Sequence, residues 1–274
     1  MGVDFLYKNA AGRGFLKVAQ TLGIYKAGAW FMKRRASKFM ISYYINKYEI
    51  DMTPFEGQTY NSFSDFFCRT KEQYDFDERE NAFISPCDGL FSYYRISDDM
   101  NIPMKGSSYR LEDIVPCRET AELFNDGLFM VFRLRANDYH HFCSFDNMTL
   151  EETHYIPGQL HSVQPIACET VPVYRLNRRW WSVLSTKNFQ TVAQIEVGAM
   201  MVGGVTFAKE NGDFAKGEEM GNFELAGSTI VILLNSDVRE KLTIGEKFLK
   251  ASGGECEVAI LMGETLGLLK NEVN

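Results

Sequence analysis

The stretch Lys216–Leu234 reads KGEEMGNFELAGSTIVILL. A charged turn leads into a short segment, then Ala226-Gly227-Ser228-Thr229 opens onto five apolar residues, Ile230–Leu234. An apolar run of that length, bounded by turn residues and rich in β-branched side chains, reads as a buried strand. A flexible glycine and two hydroxyls at the mouth of such a strand need a reason.

Working outward, the same texture extends from about residue 82 to the end. GLFMVFRL (127–134), VPVYRL (171–176), WWSVLST (180–186), TVAQIEVG (191–198) and MMVGGVTF (200–207) are short β-rich runs punctuated by Gly, Pro, Asn and Asp. They predict a mostly antiparallel β body. Residues 12–48 read as helix instead. Phe15, Val18, Ala19 and Leu22 keep the i, i+3, i+4, i+7 spacing, and after Gly23 a second apolar and aromatic run interleaves with Lys33, Arg34, Arg35 and Lys38. NSFSDFFCRT (61–70) predicts a short helix capped by Ser62 or Ser64 with its aromatics turned inward. The expected class is α+β: a helical, membrane-facing amino-terminal portion, residues 1–80, on a β-rich catalytic body, residues 81–274.

Charge is divided unevenly. The chain carries −7, yet residues 1–50 hold nine Lys or Arg against Asp4 and Glu49, a balance of +7 that leaves −14 on the remainder. A basic, aromatic-bearing helical end on an acidic body predicts an anionic membrane surface as partner and argues against a broad nucleic-acid footprint. The six cysteines are scattered without a CxxC pair, which fits a reduced compartment and predicts no metal site. Neither a secretory signal nor a membrane-spanning run is expected.

Three stretches carry chemistry-bearing residues. Gly-Ser before a strand is most often a turn or bulge, and the G-x-S-x-G of a nucleophile elbow is absent. A third reading is self-cleavage: Ser228 Oγ attacks the Gly227 carbonyl, glycine having no Cβ to block the approach. Elimination and hydrolysis then turn Ser228 into a pyruvoyl group. RANDYHHFCSFDN (135–147) holds two of the four histidines, and adjacent histidines on a strand face opposite ways. FISPCDGLF (83–91) is a turn whose Asp88 has the chemistry to orient a histidine beside a serine.

In this order these stretches resemble the phosphatidylserine decarboxylase family. The resemblance spans SFSDFFCR, SPCDG, DYH, IPGQLHSV, VGAMMVGGV and KGEEMGNFELAGST. It implies a proenzyme that cuts itself between Gly227 and Ser228. The products would be a β subunit, 1–227, and an α subunit, 228–274, headed by a pyruvoyl cofactor made from Ser228. Phosphatidylserine would join that group as a Schiff base and lose carbon dioxide to give phosphatidylethanolamine. By the same resemblance His140 belongs to the decarboxylation step and Asp88 to the cleavage machinery.

The sequence departs from many members at Cys143, where they carry a second histidine. The base that activates Ser228 is therefore open: His140 first, oriented by Asp88, with His141 and His161 in reserve and Cys143 and Thr229 as possible accessories. If the family's two positions share one site, DYHHFC must turn, bringing His140 and Cys143 together and His141 away. The expected location is peripheral, on the cytoplasmic side of the cytoplasmic membrane, as a homo-oligomer of the cleaved pairs. The alternatives are a pyruvoyl decarboxylase of a related lipid, such as an ether-linked analogue, or of a soluble amino acid, and a non-catalytic lipoyl-like β carrier.

Overall fold

A computed structural model describes residues 3–104, 107–200, 204–225 and 228–270. Gly227, half of the expected scissile bond, lies outside the described residues, as do 201–203 of the VGAMMVGGV motif.

The amino-terminal part is helical but broken into short pieces: α1 (Val3–Lys8), α2 (Ala10–Thr21), α3 (Ile24–Met32) and α4 (Met40–Tyr48). Gly23 sits in the left-handed region at φ 65° and ends the first run, and a 3₁₀ turn at Arg35–Phe39 splits the second. Helix α5 (Phe63–Phe67) follows the sequence closely. The Ser62 side chain accepts from Asp65 N–H at 3.1 Å, and Phe63, Phe66 and Phe67 are buried.

The body holds strands β1 (Ala82–Ile84), β2 (Gly89–Arg95), β3 (Asn101–Met104), β4 (Ser107–Arg110), β5 (Leu128–Leu134), β6 (His141–Cys143), β7 (Met148–Ile156), β8 (Arg179–Thr186), β9 (Thr191–Val197), β10 (Val205–Phe207), β11 (Gly212–Phe214), β12 (Glu219–Phe223), β13 (Ser228–Leu234), β14 (Leu242–Ile244), β15 (Val258–Ile260) and β16 (Thr265–Leu269). Helices α6 (Leu111–Ile114), α7 (Arg118–Glu122), α8 (Pro165–Cys168), α9 (Val173–Leu176) and α10 (Ser236–Lys241) connect them. An eight-stranded sheet runs β11-β7-β8-β9-β13-β5-β2-β15, with smaller sheets β10-β12-β6, β1-β16-β14 and β3-β4. The ladders between named strands are antiparallel, as the sequence predicts.

One sequence expectation fails here. VPVYRL contains α9 instead of a strand, because Pro172 has no N–H for a ladder and its carbonyl accepts from Arg175 and Leu176 in helical fashion.

Strand β13 is the axis of the fold, paired along its length with β5 and over five residues with β9. Its even residues, Ile230, Ile232 and Leu234, enter a core shared with Phe132, Phe142, Phe223, Phe83 and Leu266, between the large sheet and two of the small ones. Val231 and Leu233 face a second core under α6, α7 and α9 with Phe129, Ile195 and Val197. Both faces are dry, which is why the run is continuously apolar. The helical portion packs on the body through Ile41, Ile50, Phe63, Phe66, Phe67 and Leu225.

Candidate active site at the mouth of the central strand

The sheet order brings three segments to one end. Strand β13 starts at Ser228, opposite Leu134 at the end of β5. Strand β5 in turn pairs with β2, Arg133 opposite Leu90, so Asp88 and Gly89 sit beside that same end. Two strand spacings separate the Asp88 and Ser228 backbones, roughly 10 Å. The chain leaving β5 then runs through Arg135–Asp138 to His140.

Ser228 and Thr229 are fully buried, and neither hydroxyl has a hydrogen-bond partner among the described residues. A buried hydroxyl without a partner is expensive, and few occur without a functional reason. Thr229, one residue along the strand, faces the second core.

His140 is also fully buried, its ring centroid 4.2 Å from that of Phe67. Its Nδ1 lies 2.9 Å from the Asp138 carbonyl oxygen, which only accepts, so Nδ1 carries the proton. Nε2 is left bare, buried and unpartnered among the described residues. Burial lowers the ring's pKa to about 4, so the imidazole is neutral near pH 7.

Asp88 does not orient that ring. Its Oδ1 accepts from Met262 N–H at 2.8 Å and its Oδ2 from Tyr139 N–H at 3.4 Å, with Lys71 Nζ at 3.5 Å. The carboxylate therefore fixes the backbone next to His140 and ties it to the loop between β15 and β16. The sequence gives no sign of Lys71's role, since a lone lysine after NSFSDFFCRT offers no pattern.

The expected turn in DYHHFC is absent too. His141–Cys143 is a strand, and alternation puts Tyr139, His141 and Cys143 on one side with His140 on the other. The Tyr139 and His141 rings stack at 4.7 Å, 7° from parallel. His141 is occupied at both nitrogens, by Glu219 Oε1 at 2.9 Å and the Cys68 carbonyl at 3.2 Å. Cys143 packs with Phe55, Tyr139 and Met262, and burial pushes its thiol up to about 12. It is a protonated thiol near neutrality and no base. His161 is likewise committed, its Nε2 2.7 Å from Gln159 Oε1 and its Nδ1 3.4 Å from the Tyr7 hydroxyl, pinning α1 to the body.

A cleft of about 510 Å³ opens beside this end, lined by Arg133–Asn137, Ser162–Pro165, Ala199 and Met200. Tyr48 and Val3 of the helical portion close one side.

The sequence profile of the phosphatidylserine decarboxylase family matches residues 63–268. The chain belongs to that family. It is 36% identical over 268 residues to phosphatidylserine decarboxylase proenzyme 2 of Clostridium acetobutylicum, covering 97% of this chain and 91% of the relative. The phosphatidylserine decarboxylase proenzyme of Clostridium perfringens is 32% identical over 274 residues, covering 97% and 92% of the two chains. That of Fusobacterium nucleatum is 31% identical over 279 residues, covering 98% and 91%. The family membership spans both the helical portion from residue 63 and the β body.

Proposed function

We propose that the chain is a self-processing phosphatidylserine decarboxylase that cuts itself between Gly227 and Ser228. The observation that carries this is Ser228 itself: in a member of this family, it heads the central strand with a buried hydroxyl that has no partner among the described residues. The site fits a pyruvoyl group derived from Ser228. Ser228 is buried on a strand paired on both sides, and the bare His140 Nε2 lies in the segment that leaves the neighbouring strand. Such a group supplies a ketone for the substrate amine and a sink for the electrons left by carbon dioxide.

The chain's own residues do the rest. His140 Nε2 is the proton-handling atom: it has a free lone pair, and burial makes it give a captured proton back readily. Asp88 acts as a positioning residue through Tyr139 and Met262. After the cut, β13 would belong to the α subunit while β5 and β9 belong to the β subunit, so the two ladders hold the pieces together. The cleft beside Arg133–Asn137 is the approach for the phosphatidylserine headgroup.

The acyl chains of that substrate stay in a bilayer, so the enzyme must reach one. Phe15, Leu22, Trp30, Phe39 and Tyr43 are exposed on the helical portion, Leu22 at 70% and Phe39 at 75%. The Arg34 guanidinium stacks 4.5 Å over the Trp30 ring. Exposed aromatics beside Lys and Arg suit the anionic interface. Among the described residues no helix is long and apolar enough to cross a membrane. The reading is a peripheral enzyme on the cytoplasmic face of the cytoplasmic membrane.

The test is Ser228→Ala, which should leave a folded, uncut chain that releases no carbon dioxide from phosphatidylserine in mixed micelles. Carbon dioxide release by that variant at the unsubstituted rate would overturn the proposal.

A further inference from the structure

Strand β9 carries an acid in the middle of the sheet. Glu196 is 1% exposed, with Trp180 opposite it on β8 and Ile230 opposite it on β13. Its Oε1 accepts from Gln194 Nε2 at 2.8 Å, and its Oε2 has no partner among the described residues. A carboxyl buried with one oxygen unsatisfied is costly.

The register says what lies near it. Glu196 is directly opposite Ile230, so the two side chains share a face of the sheet. Ser228 is two residues before Ile230 on the same strand and therefore shares that face as well. Glu196 and Ser228 are thus diagonal cross-strand neighbours, whose Cβ atoms lie at about 7 Å or a little less, within reach of a long side chain. Both carry a buried oxygen without a partner among the described residues.

We propose, building on the self-cleavage reading above, that Glu196 is the base that activates Ser228 in this chain. Its carboxylate takes the Ser228 hydroxyl proton as Oγ bonds to the carbonyl carbon of Gly227. The carbon–nitrogen bond to Ser228 then breaks, the same proton passes to that nitrogen, and Glu196 returns to its carboxylate form. The products are an ester on Oγ and a free amine, with no net gain or loss of protons.

Other bases are less suited. The Cys143 thiol is protonated, and His141 and His161 are bonded at both nitrogens. His140, with its pKa lowered to about 4, is a weak base. Burial raises the Glu196 carboxyl to about 7, near the optimum for a base working at neutral pH. A charged group stands near the end of its face: Arg178, just before β8, whose side-chain stem lies beside Gly198. On its own face β8 offers Trp180 and Ser182, and β13 offers Ser228 and Ile230. The overlying small sheet turns Val205, Phe207 and Phe223 to the same core. Of the titratable groups at that sheet, Cys143 lies on its far side, where His141 and Glu219 bond each other, leaving His140. The signal in the sequence is the acid of TVAQIEVG, an ionisable residue in a strand buried on both faces.

The experiment follows cleavage of the full chain made by cell-free translation, by gel and intact mass over time, for the unsubstituted chain, Glu196→Gln and Glu196→Asp. General-base catalysis contributes on the order of 100-fold or more, so Glu196→Gln should cut at least about 100-fold more slowly and Glu196→Asp should recover part of the rate. The rate for the unsubstituted chain should rise with pH through a midpoint near 7. Glu196→Gln that melts at the unsubstituted temperature and cuts at the unsubstituted rate overturns the proposal. So does a rate midpoint near 4, which would assign the base to His140, or a rate flat from pH 5.5 to 8.5. The pH profile decides the matter even if the variants do not fold. An unsubstituted chain that never cuts at Gly227–Ser228 defeats the self-cleavage reading instead.

Discussion

Replacing Gly89 by alanine should loosen the site without touching a reactive group. Gly89 follows Asp88 and begins β2, where that strand lies against the end of β5. A Cβ placed there would sit 2.8 Å from the Arg133 carbonyl oxygen and 3.1 Å from its carbon. Both atoms are backbone, so no rotamer change relieves the contact; β2 and β5 must part by a few tenths of an ångström. Arg133 and Leu134 are the register partners of Thr229 and Ser228, so the shift passes directly to the serine. Overpacking of this kind costs about 1–3 kcal/mol. At roughly 2–4 °C per kcal/mol for a chain of this size, the melting temperature should fall by roughly 2–12 °C. Melting is best followed in a Ser228→Ala background, where one uncut chain unfolds. Cleavage is followed in the Ser228 background and should slow. Gly14→Ala is the control: nothing lies within 4 Å of its added Cβ, and it sits inside α2, where alanine is the better helix former. Gly89→Ala matching the unsubstituted chain in both melting and cleavage would refute the reasoning.

Three further outcomes are expected. His140 has a folded pKa near 4 against about 6.5 unfolded, so the unfolded chain binds the extra proton between those values. Stability from this group is therefore complete above about pH 6.5 and is lost as pH falls toward 4, on the order of 3 kcal/mol. Subtracting the stability–pH curve of His140→Gln from that of the parent, both in the Ser228→Ala background, should reveal that loss; a flat difference would count against a buried neutral His140. Cys143→Ala should cut itself at close to the normal rate, at a stability cost of about 1 kcal/mol for the small cavity, because the thiol stays protonated; an uncut Cys143→Ala chain with normal melting would make the thiol a participant. Trp30→Ser with Phe39→Ser should weaken flotation with anionic vesicles while leaving melting unchanged, since both rings are exposed; undiminished flotation would remove these rings from the membrane surface.

Much of the fold is legible because local pattern and tertiary demand agree. The apolar run after Gly227-Ser228 is a strand with both faces in a core, and Ser62 caps the helix whose aromatics are buried. VPVYRL misleads because apolar and β-branched residues suggest a strand while Pro172 fixes the backbone for a helical turn. The site is harder to read. The proposed site residues run Asp88, His140, Ser228 along the chain, the order that carries the family resemblance. Who bonds whom depends on strand register and on loops far apart in sequence. Asp88 meets Met262 across 174 residues, and no local rule gives that contact. The alternation of β6 was visible in principle, yet the family's two-histidine spacing argued for a turn, and the ladder with β12 prevails. Nothing local marks Glu196 as a base, since its proposed role comes from the diagonal step to Ser228.

The central claim is that this chain makes its own reactive group at Ser228. Intact-mass measurement of the purified protein tests it most directly. The account predicts two chains, one of residues 1–227 and one of 47 residues whose first residue has the mass of a pyruvoyl group in place of Ser228. A single 274-residue chain retaining an ordinary Ser228 after prolonged incubation, or a cut at another bond, would contradict it.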